Sequence, residues 1–170
     1  SLNRPHAANA INLRMMEELT HIFINFPNEH SEIRCVVLTG AGERVFSAGA
    51  DLKERNNISV EEWQRQHEKL ERAVLAVAGT TIPIIAAVNG AAYGGGCELA
   101  LLADFIYSAH SARFALPEVT LGFIPGAGGT QNLQLVSGIA RAKEIIFTGE
   151  SFGSEEAFRW GIVNRICEDK

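Results

Sequence analysis

The chain has 170 residues, of which 46% are hydrophobic, 21% charged and 8% aromatic. That apolar content excludes a disordered chain, and 16 glycines, 5 prolines and 3 cysteines exclude collagen-like and disulfide-scaffold classes. Lys plus Arg number 15 against 20 for Asp plus Glu, and the formal charge of -5 argues against non-specific binding to nucleic acid or an anionic membrane.

Ser1-Leu2-Asn3-Arg4-Pro5 reads as the tail of a strand; no signal peptide is visible, and further chain upstream is expected. Residues 12–26 form a helix, because Leu13, Met16, Leu19, Ile22, Phe23 and Phe26 share one face, with Pro27 as its stop. Residues 34–39 read as a buried strand closed by Gly40-Ala41-Gly42, and residues 45–51 as a strand end running into a small-residue loop. Ser59 opens a long helix through a capping box with Glu62, and Val60, Trp63, Leu70, Val74 and Val77 make its apolar stripe. Residues 82–88 are a second buried strand turned by Asn89-Gly90, and far too short to span a bilayer.

Ala91-Ala92-Tyr93-Gly94-Gly95-Gly96 then leads into a helix over 97–102, followed by strands over 104–109 and 113–116. A glycine-rich stretch, 122–129, enters helices over 130–136 and 139–147. Ser154 caps a short helix ended by Gly161, and residues 162–166 make a last strand. Strands alternate with helices, which gives an α/β class with mostly parallel pairing in a single domain. Cys35, Cys97 and Cys167 lack CxxC spacing and read as buried free thiols of a reducing compartment. The Asn57-Ile58-Ser59 sequon carries no weight without evidence of secretion.

The most informative segment is Gly94-Gly95-Gly96 before a helix with Glu98 in its first turn. Glycines admit close approach of a ligand to the backbone, and free N–H groups at a helix start can hold an oxyanion. A plain helix start with Glu98 serving the dipole is the competing account. Ser47-Ala48-Gly49-Ala50-Asp51 offers another backbone donor, or an ordinary left-handed turn. Glu118, in an apolar stretch after Pro117, is expected to be half-buried with a raised pKa, suited to general acid work, or else a solvated strand-end charge. Gly126-Ala127-Gly128-Gly129 reads as a helix entry built for close packing.

Other patterns fail on context. Gly40-Ala41-Gly42 lacks the third glycine of a dinucleotide fingerprint and no helix follows it. The five histidines, His6, His21, His30, His67 and His110, show no ligand spacing, so no metal site is expected. Gly149-Glu150-Ser151-Phe152-Gly153 matches the nucleophile-elbow pattern literally, but a helix precedes it and no histidine follows Ser151.

Taken together, Leu2-Asn3-Arg4-Pro5 with Asn9-Ala10, Phe46 to Leu52, Ala87-Val88-Asn89-Gly90, Gly94 to Ala100, Pro117-Glu118 and Ile124 to Gln131 resemble the enoyl-CoA hydratase/isomerase (crotonase) family across the whole chain. The resemblance implies a crotonase-like spiral of ββα units, with residues 1–170 as its core domain and an upstream strand and C-terminal helical segment outside it. It implies a trimer or hexamer when full length, acting on an acyl-CoA thioester in fatty acid metabolism such as β-oxidation, in the cytoplasm or a mitochondrial matrix. The backbone N–H groups of Ala50 and Gly95 would form the oxyanion hole, with Glu98 activating water and Glu118 exchanging the proton at Cα. Ala7, Ala8, Ala48, Asp51, Leu52 and Lys53 would hold the acyl-CoA, whose coenzyme A is part of the substrate; no separate cofactor and no metal are implied. His6 and Asn132 depart from the family pattern, which often has Lys or another polar residue at the first position and Arg at the second.

Both glutamates are present, which favours a hydro-lyase, an enoyl-CoA hydratase. The rivals are another acyl-CoA reaction, such as double-bond isomerisation or hydration of a methylglutaconyl-type substrate, and a non-catalytic or RNA-binding relative. The charge of -5 and the lack of a Lys/Arg run argue against RNA.

Overall fold

A short strap of chain precedes everything else. In the computed structural model, which describes residues 1–169 without the side chains of residues 26–28, Leu2 bridges Gly40 in parallel, as a strand tail does. A 3-10 turn, Pro5–Ala7, follows, and then helix α1 (Leu13–Glu29). That helix continues past the predicted stop at Pro27; the Phe26 and Pro27 side chains lie outside the described residues. Met15, Met16, Leu19 and Phe23 are its buried face.

From there the chain repeats a strand–strand–helix unit. The first is β1 (Val36–Thr39), β2 (Val45–Ser47) and α2 (Val60–Ala78). The second is β3 (Ile84–Val88), β4 (Ala91–Tyr93) and α3 (Gly95–Leu101). The third is β5 (Phe105–Ala109) and β6 (Arg113–Ala115), continued by a 3-10 turn, Pro117–Leu121, and by α4 (Gly129–Ser137) and α5 (Ile139–Thr148). The chain closes with β7 (Phe152–Gly153), α6 (Ser154–Arg159) and β8 (Arg165–Cys167).

Each unit sends its first strand to one sheet and its second to the other, giving orders β1-β3-β5-β8 and β2-β4-β6-β7. Every pair is parallel except β6–β7. The register sets Leu38 beside Ala86 and Ala86 beside Ile106, all three buried, so one row faces the core. Phe46 and Phe114 are fully buried, and Phe114 stacks on Phe152 across the antiparallel pair at 5.8 Å. Helix α1 packs on α2, and the core joins these helices to both sheets.

Several expectations need correction. β1 is an edge strand, and Val37 is 58% exposed because nothing covers its outer face among the described residues. Cys35 and Cys167 are exposed where edge strands start and finish; only Cys97 is buried. Val60 of the predicted α2 stripe is 68% exposed, at the first residue of the helix. Ser59 does cap α2, accepting from the Glu62 N–H at 3.1 Å, while the Glu62 carboxylate pairs with Arg65. Ser154 does not cap α6. It is the first helical residue, and its buried hydroxyl donates to Ala109 O and Ala112 O instead.

Candidate active site

Two backbone segments meet at the start of α3. Gly49 has φ +89, and a Cβ there would lie 2.7 Å from Tyr93 O and 2.9 Å from Gly95 N, so only glycine allows this approach. Gly96 is as tightly held: its Cβ would stand 2.3 Å from Ser47 O. The contacts press the 47–51 loop against the helix start, leaving Ala50 and Gly95 side by side. Neither N–H finds an acceptor among the described residues. A pair of neighbouring free backbone donors is the geometry an oxyanion requires.

The loop is braced from behind by the strap. Asn9, fully buried, donates to Ala41 O and Val45 O at 2.9 Å each and accepts from Arg4 N. The Ser47 hydroxyl donates to Asn9 O, and Ala48 N donates to Ala8 O. Asp51 takes a 2.9 Å ion pair from Arg4 and accepts from Lys53 N. Burial alone would raise the Asp51 carboxyl, but the Arg4 and Lys53 donors outweigh it and hold it below its usual range.

Both glutamates line the same cavity as these donors. It has a volume of about 750 Å³, and its apolar wall includes Leu19, Leu70, Val74, Phe123 and Ile124. Glu98 is 3% exposed, and its Oε1 accepts from Ala127 N at 2.7 Å and Gly129 N at 2.8 Å. Burial pushes its carboxyl up, against the pull of the donors from Gly129, Ala127 and Gly126. Glu118 is buried far beyond the half expected, at 5% exposure, in the first turn of the 3-10 segment. Its Oε2 has no hydrogen-bond partner among the described residues. Burial, with the Glu98 charge adding to it, pushes Glu118 up to about 7, although its own backbone N–H pulls the other way.

The sequence model of the enoyl-CoA hydratase/isomerase family matches residues 1–170. The chain belongs to this family. It is 40% identical over 168 residues to a short-chain-enoyl-CoA hydratase of Clostridium acetobutylicum, covering 99% of this chain and 64% of that one. A carnitinyl-CoA dehydratase of Escherichia coli K12 is 43% identical over 170 residues, with 98% and 62% covered. The crystal structure of an enoyl-CoA hydratase from Bacillus anthracis superposes with a TM-score of 0.93 at 44% identity, over 98% of this chain and 64% of that one. The fold is therefore the α/β crotonase fold of that family, and the chain spans just under two thirds of the length of these relatives.

Of the residues singled out in the sequence, the fold brings Ala48, Ala50, Leu52, Gly95, Glu98 and Glu118 to the cavity wall. Ala7, Ala8, Asp51 and Lys53 do not line it; the first two lie in or next to the strap's 3-10 turn, and Lys53 is exposed. Sequence reasoning missed the Ala127 and Gly129 donors, having read 126–129 as packing alone. The available signal was a glutamate in an otherwise apolar helix start, which needs donors from elsewhere once buried. It also missed Arg4, Arg55 and His67, the last lining the cavity with its ring stacked on Trp63 at 5.0 Å. Ser151 is no elbow: a helix precedes it, and its hydroxyl accepts from exposed Arg113 at 2.8 Å.

Proposed function

We propose that the protein carrying this chain is an enoyl-CoA hydratase, adding water across the double bond of a trans-2-enoyl-CoA, and so a lyase of acyl-CoA metabolism. The observation that carries the reading is the convergence of two buried carboxylates and two unpaired backbone N–H groups on one cavity. The names of the hydratases similar to this chain support it.

In this reading the thioester oxygen sits between the N–H groups of Ala50 and Gly95. Ionised Glu98, its Oε1 fixed by Ala127 and Gly129, takes a proton from a water whose oxygen bonds to Cβ. The π electrons move toward the thioester oxygen, giving an enolate that the two donors stabilise, each worth about 2.7–4 kcal/mol by mutational precedent. Glu118 holds the proton because its Oε2 is buried and unpartnered, and it delivers that proton to Cα. The product has gained one water, and proton exchange between the carboxyl groups through solvent restores the start. The two groups titrate as a coupled pair. Run backward, the same steps remove water from a 3-hydroxyacyl-CoA.

The test is loss of the conjugated enoyl-thioester absorbance when the full-length protein meets crotonyl-CoA, with product mass read alongside. Gain of one water is expected, and Glu98→Gln is expected to slow the reaction about 10²–10⁴-fold. An isomerised product of unchanged mass, or full hydration by Glu98→Gln, would overturn the proposal.

A further inference from the structure

Ile11 and Ala50 form an isolated parallel bridge between the strap and the 47–51 loop. In it Ile11 N donates to Gly49 O at 2.8 Å, and Asp51 N donates to Ile11 O at 3.0 Å. Gly49 O and the Ala50 N–H belong to one peptide unit, and no described peptide bond is cis. In a planar trans peptide the two groups point in opposite directions. With the oxygen taken by the strap, the N–H is turned to the other side, where Gly95 stands: a Cβ on Gly95 would lie 3.6 Å from Ala50 N. A bonded carbonyl also polarises its own peptide, which strengthens the donor opposite.

A bridge of one residue pair is a weak clasp, and one side chain spans it. Nη1 of Arg4 donates to Ala10 O at 2.7 Å and to Asp51 Oδ2 at 2.9 Å. It thereby ties the residue before Ile11 to the residue after Ala50, and Arg4 is itself seated by its N–H on Asn9 Oδ1. Hydrogen bonds to ionised groups are shorter and stronger than neutral ones. Neither Arg4 nor Asp51 lines the cavity; what they hold is the peptide that does. The two side chains are 23% and 12% exposed, and a part-exposed ion pair adds little to stability. Its consequence lies in the direction of one N–H.

We propose that Arg4, acting through Asp51 and Ala10, is a positioning residue for the Ala50 oxyanion donor: its two bonds keep the Gly49–Ala50 peptide turned so that the N–H faces the thioester oxygen. The proposal rests on the acyl-CoA reading given above. It gives Asp51 a part other than the direct acyl-CoA contact that the resemblance implies. Without the clasp the bridge opens, the peptide is free to rotate, and Gly95 is left as the one fixed donor.

The experiment reads the carbonyl itself. Full-length protein is loaded with butanoyl-CoA carrying carbon-13 at the thioester carbon, a saturated compound with no double bond to hydrate. Its C=O stretch is taken by isotope-edited infrared difference spectroscopy. In the wild type the band is expected below its frequency in buffer, because hydrogen bonds to the oxygen weaken the C=O bond. Arg4→Met is expected to lose about half of that downshift, one donor of two, with Arg4→Lys between it and the wild type. With crotonyl-CoA, Arg4→Met is expected to lower kcat about tenfold while KM changes less than about threefold, as befits an interaction made mainly in the transition state. The double variant Arg4→Met/Asp51→Asn is expected to be no slower than Arg4→Met, since both changes undo one clasp. The shifted band belongs to bound ligand alone, so the fraction of folded protein does not enter. Asp51→Asn, which keeps an oxygen for Lys53 N, carries the same test if Arg4→Met does not fold. A full downshift in Arg4→Met, or in Asp51→Asn in its place, overturns the proposal even where activity falls, because a merely structural residue does that. No downshift in the wild type overturns the oxyanion reading and this inference with it. A downshift lost in Arg4→Met, with no hydration by the wild type, sustains this inference and ends the hydratase reading alone.

Discussion

At the scale of single residues, burial raises the pKa of both carboxyl groups, but their hydrogen-bond surroundings differ. Glu98 has backbone donors on Oε1 that favour its charge, whereas Glu118 has a buried Oε2 with no partner and a charged neighbour. The pH profile of crotonyl-CoA hydration is therefore expected to lose activity as pH rises through about 7, where Glu118 loses its proton. Glu118→Gln is expected to lower kcat about 10²–10⁴-fold and to abolish that alkaline limb. Stability carries the same signature. A carboxyl whose folded pKa lies above its unfolded value binds more protons when folded, so its contribution is present below about 4.5 and is lost as pH rises through about 7. Urea denaturation of the wild type and Glu118→Gln is expected to diverge over that window, the variant gaining relative stability toward pH 8. A constant difference would show that Glu118 titrates normally.

At the scale of elements, the site is a junction between pieces too short to be stable alone. β2 and β4 have three residues each and α3 has seven, and they hold position through Gly49 and Gly96, which have no room for a Cβ, and through the Asn9 strap. Gly49→Ala introduces a Cβ at φ +89 against Tyr93 O and Gly95 N, and the loop must retreat. The expected result is a fall in kcat of about 10²–10³, the cost of one lost oxyanion donor, in stopped-flow turnover with crotonyl-CoA. Unchanged kcat would mean that the Ala50 N–H does not act in the reaction. The short elements are also where sequence reading failed. β4, β7 and both 3-10 turns went unpredicted, because two to five residues give no measurable period. The longer α1, α2, β3 and β5 were legible to within a few residues, as their periodicity spans several turns or alternations.

At the scale of the whole molecule, the cavity exists because distant segments converge on it. α1, α2, the 48–55 loop, α3 and the 117–131 segment each supply wall, and the two-sheet spiral brings them together. Phe114 anchors that arrangement from the core of the second sheet, with no exposure and a stacked partner in Phe152. Phe114→Ala is expected to cost about 3–5 kcal/mol in chemical denaturation, a large share of the stability of a typical domain. A loss below 1 kcal/mol would mean the sheets close over the gap. By itself the sequence determined the α/β class, the long helices and strands, the family and the candidate donors and glutamates, since these rest on local periodicity and on motifs of contiguous residues. Only the tertiary structure decided that Ala127 and Gly129 hold Glu98, that Glu118 is buried past half, that Cys35 and Cys167 are exposed, and that Arg55 lies in the cavity. The reason is physical. Burial, charge pairing and protonation depend on neighbours brought from far along the chain, such as the 31 residues separating Glu98 from Gly129, and no local pattern encodes them.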